Sequence, residues 1–446
     1  MSALMTTWRA FWARFSLRSE TLILLVTLFL MTTANTNFWR TLLAQRSFSE
    51  FGTWRFLIAI FIALTALHFL AIGIFAIGRG LRIVLSVLVV LSTITAYHMQ
   101  HYGIVLDPTM VRNVLHTDWH EARELLNADM FVYLLLAVVP VIFVWSINLQ
   151  ARTFRRALVA RLISLGVALL VGVGALLFAY QDFGSAMRTQ KGIRYMLTPG
   201  NVIWSLARVA TDDLRAASRV RDPAEPAQRV LAPDAKRKPT LLVLVVGETA
   251  RAANFGLTGY TRMNTPELAK LDVITFPHTT SCGTSTEVSV PCMFSPYGRA
   301  NYDEDKIRNH ESLLHLVDRA GVKVSWLDNQ SGCKGVCDGL DFVDIGQHQN
   351  AELCSEGHCF DEILLKNLQQ KLTGAPQDRF VVLHQLGNHG PAYFRRYPDA
   401  FKRYMPACEN NDLGKCSQEQ IVNAYDNAIS YTDHVLAQTI AYLKTQ

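Results

Sequence analysis

The chain has 446 residues, 50% of them hydrophobic and 18% charged, with a formal net charge of +6 at pH 7. That length exceeds one ordinary domain, and that charge content is low for a soluble protein of this size. The positive excess is no nucleic-acid signature, because it is largely carried by arginines flanking the apolar stretches of the amino-terminal part.

Five stretches in the first 181 residues, 21–39, 56–76, 83–99, 130–149 and 162–180, each offer close to the ~20 apolar residues a helix needs to cross a bilayer. The first fades into Asn35 and Asn37. A cleavable signal peptide would account for that stretch alone, and the four that follow it favour a multi-pass membrane protein. Arg9, Arg14 and Arg18 precede the first span, Arg79 and Arg82 separate the second from the third, and Arg152, Arg155, Arg156 and Arg161 separate the fourth from the fifth. The opposite loops carry fewer arginines, diluted by Asp107, Asp118, Glu121, Glu124 and Asp129. This asymmetry puts the amino terminus in the cytoplasm and everything after residue 181 outside it.

All eight cysteines follow that point, in near neighbours: Cys282 and Cys292, Cys333 and Cys337, Cys354 and Cys359, Cys408 and Cys416. Local disulfides are the simplest reading in an oxidising compartment. A zinc site using Cys333 and Cys337 is the rival. The sequence thus divides into a five-helix membrane domain (1–181), a linker with an amphipathic segment (182–239) and an outer domain (240–446). Prolines 223, 226, 233 and 239 mark the linker.

From residue 240 strands and helices alternate: strand 240–246, helix near 311–320, strand 322–327, helix 360–372, strand 379–386, helix 418–443. The pattern predicts an α/β domain with a mostly parallel sheet, in which ligands bind beyond the carboxyl ends of the strands. The buried strand "LLVLVV" ends at such a place with Gly247 and Glu248. "TSCGTSTEVSVPCMF" (280–294) gathers small hydroxyl residues at a helix start, where free N–H groups suit phosphate and where helix caps are equally at home. "HQLGNHGPAYF" (384–394) follows a strand and carries His384 and His389, candidates for metal binding, proton transfer or phosphate contact, or members of a Gly/Asn/Pro turn. In "MVRNVLHTDWHEARELL", Asn113, Thr117 and Glu121 recur every four residues on one helix face.

With "VGETARAANFGLTGY", "SCGTSTEVSVPCMF", "HQLGNHGPAYFRRY" and "NAYDNAISYTDHVLAQTI", the chain resembles, over nearly its whole length, the membrane phosphoethanolamine transferases of Gram-negative bacteria that modify lipid A. That group includes the mobile colistin-resistance enzymes. The resemblance implies an inner-membrane protein with a periplasmic catalytic domain of the sulfatase and alkaline phosphatase type. It further implies zinc as cofactor, with Glu248 as a ligand and Thr286 as both ligand and nucleophile. Phosphatidylethanolamine would be the donor, and a lipid A phosphate the acceptor. His389 would contact the phosphoryl group or move a proton, while Ser331 and Lys334 would line the phosphoethanolamine pocket. Asn113, Thr117 and Glu121 would hold the donor's headgroup, the carboxylate meeting its ammonium.

Other acceptors, the lipopolysaccharide core or another glycan, and a related phosphoglycerol transfer stay open at this point, as does a non-enzymatic membrane scaffold. The family completes its zinc site with an Asp and a His in an "SDHGE"-like strand end and adds a later histidine. Neither occurs up to Gln446, and the adjacent Asp433 and His434 read as residues of a helix. The expectation is that a product with these residues alone loses most metal affinity and activity, whereas a longer parent is an active transferase.

Overall fold

The computed structural model describes residues 16–44, 46–75, 78–117, 119–189, 191–217, 221–223, 237–345, 350, 352–355, 358–373 and 377–446. Arg9 and Arg14 of the charge argument, and Pro226 and Pro233 of the linker, lie outside them. In chain order the first helices are α1 (Ser19–Thr33), α2 (Thr36–Leu43), α3 (Phe51–Phe75), α4 (Leu81–His101), α5 (Pro108–Leu115), α6 (Trp119–Glu124), α7 (Ala128–Ser146), α8 (Phe154–Phe178), α9 (Tyr180–Thr189) and α10 (Gly200–Ala217). The chain forms two compact units. One comprises Met1–Val111 with Ala128–Ala210, the other Arg112–Asn127 with Thr211–Gln446. The short segment between α4 and α7 therefore belongs with the carboxyl-terminal unit.

Among the described residues of the first unit, α3, α4, α7 and α8 are long and apolar enough to cross a membrane, and α1 with α2 makes a fifth span if that pair, bent by 56°, is read as one. The bend falls at Asn35, the residue where the apolar run fades. Its buried amide donates to Leu30 O and Thr198 O and accepts from Thr198 N, so the helix breaks where a side chain replaces its own backbone bonds. Helix α8 packs on α3 through small residues: a Cβ on Gly172 would stand 2.8 Å from that of Ala66.

The second unit is built on a four-stranded sheet of β1 (Leu241–Val246), β2 (Lys323–Asp328), β3 (Asp341–Asp344) and β4 (Arg379–His384), in the order β1-β4-β2-β3. Every pairing is parallel, with Val246 and Asp328 both opposite His384. The strands alternate between two apolar layers. Val324, Trp326, Phe380 and Val382 pack on one face with Val290 of α11 (Thr286–Met293), Phe294 just past it and Leu314 of α13 (Leu313–Arg319). Leu327, Val381 and Leu383 pack on the other with Ile363, Leu364 and Leu368 of α14 (Glu362–Lys371). Between α11 and α13 lies the short α12 (Glu304–Asn309), which sequence periodicity does not announce.

One expectation fails in detail: β1 is an edge strand, and its Leu242 and Leu244 are 55% and 39% exposed, because the layer on that face gathers over β2 and β4. The eight cysteines form the four local disulfides 282–292, 333–337, 354–359 and 408–416, which leaves none for zinc.

The final helix, α15 (Gln418–Leu443), starts at a capping box made by Ser417 and Gln420 and is buried along much of its length. Its carboxylates hold the loop that follows β1. Asp426 accepts from Tyr260, Arg262 and Asn264, and Asp433 accepts the backbone N–H groups of Glu267 and Leu268 at 2.8 and 2.9 Å. His434 faces Glu267 at 3.0 Å. Asp433 and His434 are thus helix residues committed to holding a loop. Asp433→Ala leaves two inward donors unmet, each costing about 1–3 kcal/mol, and is expected to lower the melting temperature of the purified protein by several degrees.

Candidate active site

The sheet's carboxyl edge presents Glu248 through a tightly fitted loop. Gln385 N donates to Val246 O and Asn388 N to Glu248 O, at 3.0 and 3.1 Å. Gly387, at φ +53°, lies so close that a Cβ would stand 2.8 Å from Glu248 O. Only glycine permits that approach without strain. On the other side Tyr425 Oη donates to Thr249 O and accepts from Arg251 N. Thr249 is itself held at φ +50°, one of two non-glycine residues in the left-handed region among those described. The other is Lys334, at +52°. Both flank the same site, where such conformations concentrate.

Thr286, first residue of α11, donates its hydroxyl to Glu248 Oε2 at 3.2 Å, and Thr249 Oγ1 donates to Glu248 Oε1 at 2.6 Å. His389 Nδ1 stands 3.5 Å from the same Oε1. Burial works against the Glu248 charge, but the neighbouring His389 and Thr249 outweigh it and hold the carboxyl below its usual range. Gln330 Nε2 lies 3.3 Å from His389 Nδ1, and Ser331 Oγ donates to Gln330 Oε1 at 2.5 Å. Lys334 Nζ donates to Ser331 O and Oγ at 2.7 and 2.9 Å, and lies 3.6 Å from Glu287 Oε1. Thr286, Glu248, His389, Ser331 and Lys334 are therefore one connected cluster, with Gln330 and Glu287 as the links that sequence reasoning missed.

Glu287, next to Thr286, is 2% exposed and also accepts from His116 Nδ1 and Arg308 Nη2, each at 3.0 Å. Burial alone would raise this carboxyl; His116, Lys334 and Arg308 instead keep it below the usual range. Together with Ser331, Lys334, Arg308 and Arg112 it lines a cavity of about 550 Å³. Arg112 of α5 and His116 just past it are the residues that reach this cluster. Thr117 Oγ1 donates locally to Asn113 O at 2.7 Å, and Glu121 lies in α6 with its side chain outside the described residues. At the sheet's centre, His384 Nδ1 contacts Asp328 Oδ1 at 2.7 Å, both fully buried, a pair the sequence offered only as a lone histidine.

Two family models cover most of the chain: "Sulfatase" over residues 240–446 and "Phosphoethanolamine transferase EptA/EptB" over 64–214. The phosphatidylethanolamine transferase Mcr-2 of Escherichia coli is 37% identical over 97% of this chain and 82% of its own length. The chain belongs to the phosphoethanolamine transferases. The phosphoethanolamine transferase EptA of Salmonella typhimurium is likewise 37% identical, over 82% of this chain and 67% of its own. The integral membrane lipooligosaccharide phosphoethanolamine transferase A of Neisseria meningitidis superposes with a TM-score of 0.89 at 32% identity, over 96% of this chain and 80% of that one.

Sulfatase-type transferases imply a metal, and the donor set of this transferase can be tested for it. Glu248 and Thr286 bring a carboxylate and a hydroxyl oxygen within 3.2 Å of each other, oxygen donors of a kind zinc accepts. No cluster of three or more His, Cys, Asp or Glu suited to a metal occurs among the described residues. Glu248 and Thr286 fit as part of a zinc donor set.

The buried dyad gives a pH prediction for the transferase. Burial raises the Asp328 carboxyl, but the His384 contact dominates and holds it below its usual 3.8. Its stabilisation is complete above that value and drains as pH falls through the lower folded one. Melting temperature measured from pH 7 down to about 3 should fall less steeply for Asp328→Asn than for the parent.

Proposed function

We propose that this transferase moves phosphoethanolamine from phosphatidylethanolamine to a phosphate of lipid A through a covalent phosphoethanolamine–Thr286 intermediate, and that it confers colistin resistance. The observation that carries the reading is the Thr286 hydroxyl bonded to Glu248 Oε2, with Lys334 reaching the adjacent Glu287. In the first step Thr286 Oγ gives up its proton and bonds to the donor phosphorus, and the P–O bond to diacylglycerol breaks as that oxygen takes up one proton, so the proton count is unchanged. In the second, an oxygen of the acceptor phosphate bonds to the same phosphorus and the Thr286 P–O bond breaks, restoring the hydroxyl.

Glu248 orients the Thr286 hydroxyl through their hydrogen bond. His389, 3.5 Å from Glu248 and beside Gln330, is set to hold the proton that the leaving diacylglycerol oxygen needs. Lys334 and Ser331 offer an ammonium and a hydroxyl to phosphate oxygens at the wall of the 550 Å³ cavity, which has room for a headgroup. Asn113, Thr117 and Glu121 would meet the donor from the segment that shares this unit. A zinc ion held by Glu248 and Thr286 would favour the threonine alkoxide and draw charge from the phosphoryl oxygens. The catalytic unit is read as facing the periplasm, in keeping with its four disulfides.

Lipid A from a polymyxin-susceptible Gram-negative host expressing this gene should gain the mass of one phosphoethanolamine, and the gain should vanish with Thr286→Ala. An unmodified lipid A, with the protein present in the membrane, contradicts the reading. Lys334→Ala, which removes a charge-assisted hydrogen bond to phosphate, should lower kcat/KM by about 10–100-fold in detergent assays with phosphatidylethanolamine.

A further inference from the structure

Two polar networks, each built round a buried carboxylate, lie outside the mechanism, and both begin on the same short segment. Arg112 and His116 stand four residues apart, on and just past α5. Arg112 Nη1 donates to Glu304 Oε1 at 2.5 Å, Arg308 Nε donates to the same oxygen at 3.1 Å, and Arg308 Nη2 and His116 Nδ1 both donate to Glu287. These five residues close a ring whose one member on α11 is the neighbour of Thr286. At the other end of the segment, Glu124 accepts from Arg396 Nη2 at 2.5 Å and meets His358 Nε2 at 3.2 Å. Arg396 Nε then donates to the backbone carbonyl of His389 at 2.7 Å. Arg396 and Glu124 are 3% and 2% exposed.

We infer that Arg112–Asn127 is a positioning element of the active site and clamps it at two points, with Glu287 holding Thr286 and Arg396 holding His389. The inference rests on the roles proposed above for Thr286 and His389. Stability alone does not explain the arrangement, since burying paired charges is on balance near neutral against apolar packing. What such pairs do supply is a fixed direction. An arginine with one nitrogen on a carboxylate and another on a carbonyl cannot move without breaking both bonds. The first clamp fixes the opening turn of α11 in the same way, because Glu287 is gripped by Arg308 of α12, by Lys334 from its loop and by the His116 imidazole of the segment. Neither Glu287 nor Arg396 needs to touch substrate to act. Each fixes the residue that does.

The test uses full-length protein in detergent with three variants: Arg396→Lys, which keeps the charge but loses the forked reach, Glu287→Gln, which keeps the shape but loses the charge, and Glu124→Gln combined with Arg396→Lys. Expected for the single variants is a kcat lower by about 10–100-fold, as for other residues that orient a catalytic group, with KM and melting temperature close to the parent's. The double variant should be no slower than Arg396→Lys, because both substitutions open one clamp. Hydrogen exchange should quicken around residues 386–392 in Arg396→Lys and 283–290 in Glu287→Gln. Unchanged kcat together with unchanged exchange overturns the inference, as does a kcat loss seen only alongside a collapsed melting transition. A parent that transfers nothing overturns the proposed function, and the exchange rates alone then decide whether the clamps hold.

Discussion

A carboxylate placed beyond the end of a parallel strand is the constraint around which the catalytic unit is arranged. Glu248 follows β1 by two residues and is charged although most of its surface is removed from water. The unit meets that cost locally. Thr249, Thr286 and His389 surround its oxygens, Gly387 lets a second loop pass against its backbone, and Tyr425 of α15 locks the chain just beyond it. A cluster held this tightly gives the Thr286 hydroxyl one direction, toward Glu248 Oε2.

A second buried carboxylate, Glu287, organises the wall of the cavity. It lies one residue from Thr286, its charge is balanced by Lys334 and Arg308, and the His116 imidazole from a third part of the chain hydrogen-bonds it. The two carboxylates therefore divide the work: Glu248 aims the hydroxyl, while Glu287 ties the first turn of α11 to the groups that line the cavity. The left-handed conformations of Thr249 and Lys334 show where the backbone is bent to make both arrangements possible.

Much of this was legible in the sequence because it is local. The apolar strands, the helix from 418 and the near-neighbour cysteines are written within a few residues of one another, and the structure has them at nearly the same bounds. Asn35 marked the end of an apolar run and proves to be the side chain that bends α1 against α2. The exposure of Leu242 and Leu244 was not legible, since an apolar run alone cannot distinguish an edge strand from a central one. Nor were the long-range pairs. Glu287 reads as an ordinary acidic residue in a first helical turn, and its partner His116 is 171 residues away. Arg396 looked like one arginine of "FRRY", and only folding brings it between Glu124 and the His389 carbonyl. On α5, four-residue spacing drew attention to Asn113 and Thr117, but the neighbouring register, Arg112 and His116, makes the described long-range contacts.

The central claim is that Thr286 carries the group in transit, and the direct measurement is to trap it there. Full-length protein incubated with phosphatidylethanolamine and no acceptor, then digested and sequenced by tandem mass spectrometry, should show phosphoethanolamine on Thr286 and diacylglycerol released in equal amount. Lipid A added before digestion should clear the label. Diacylglycerol release with Thr286 unmodified, or a label on another residue, would contradict the account.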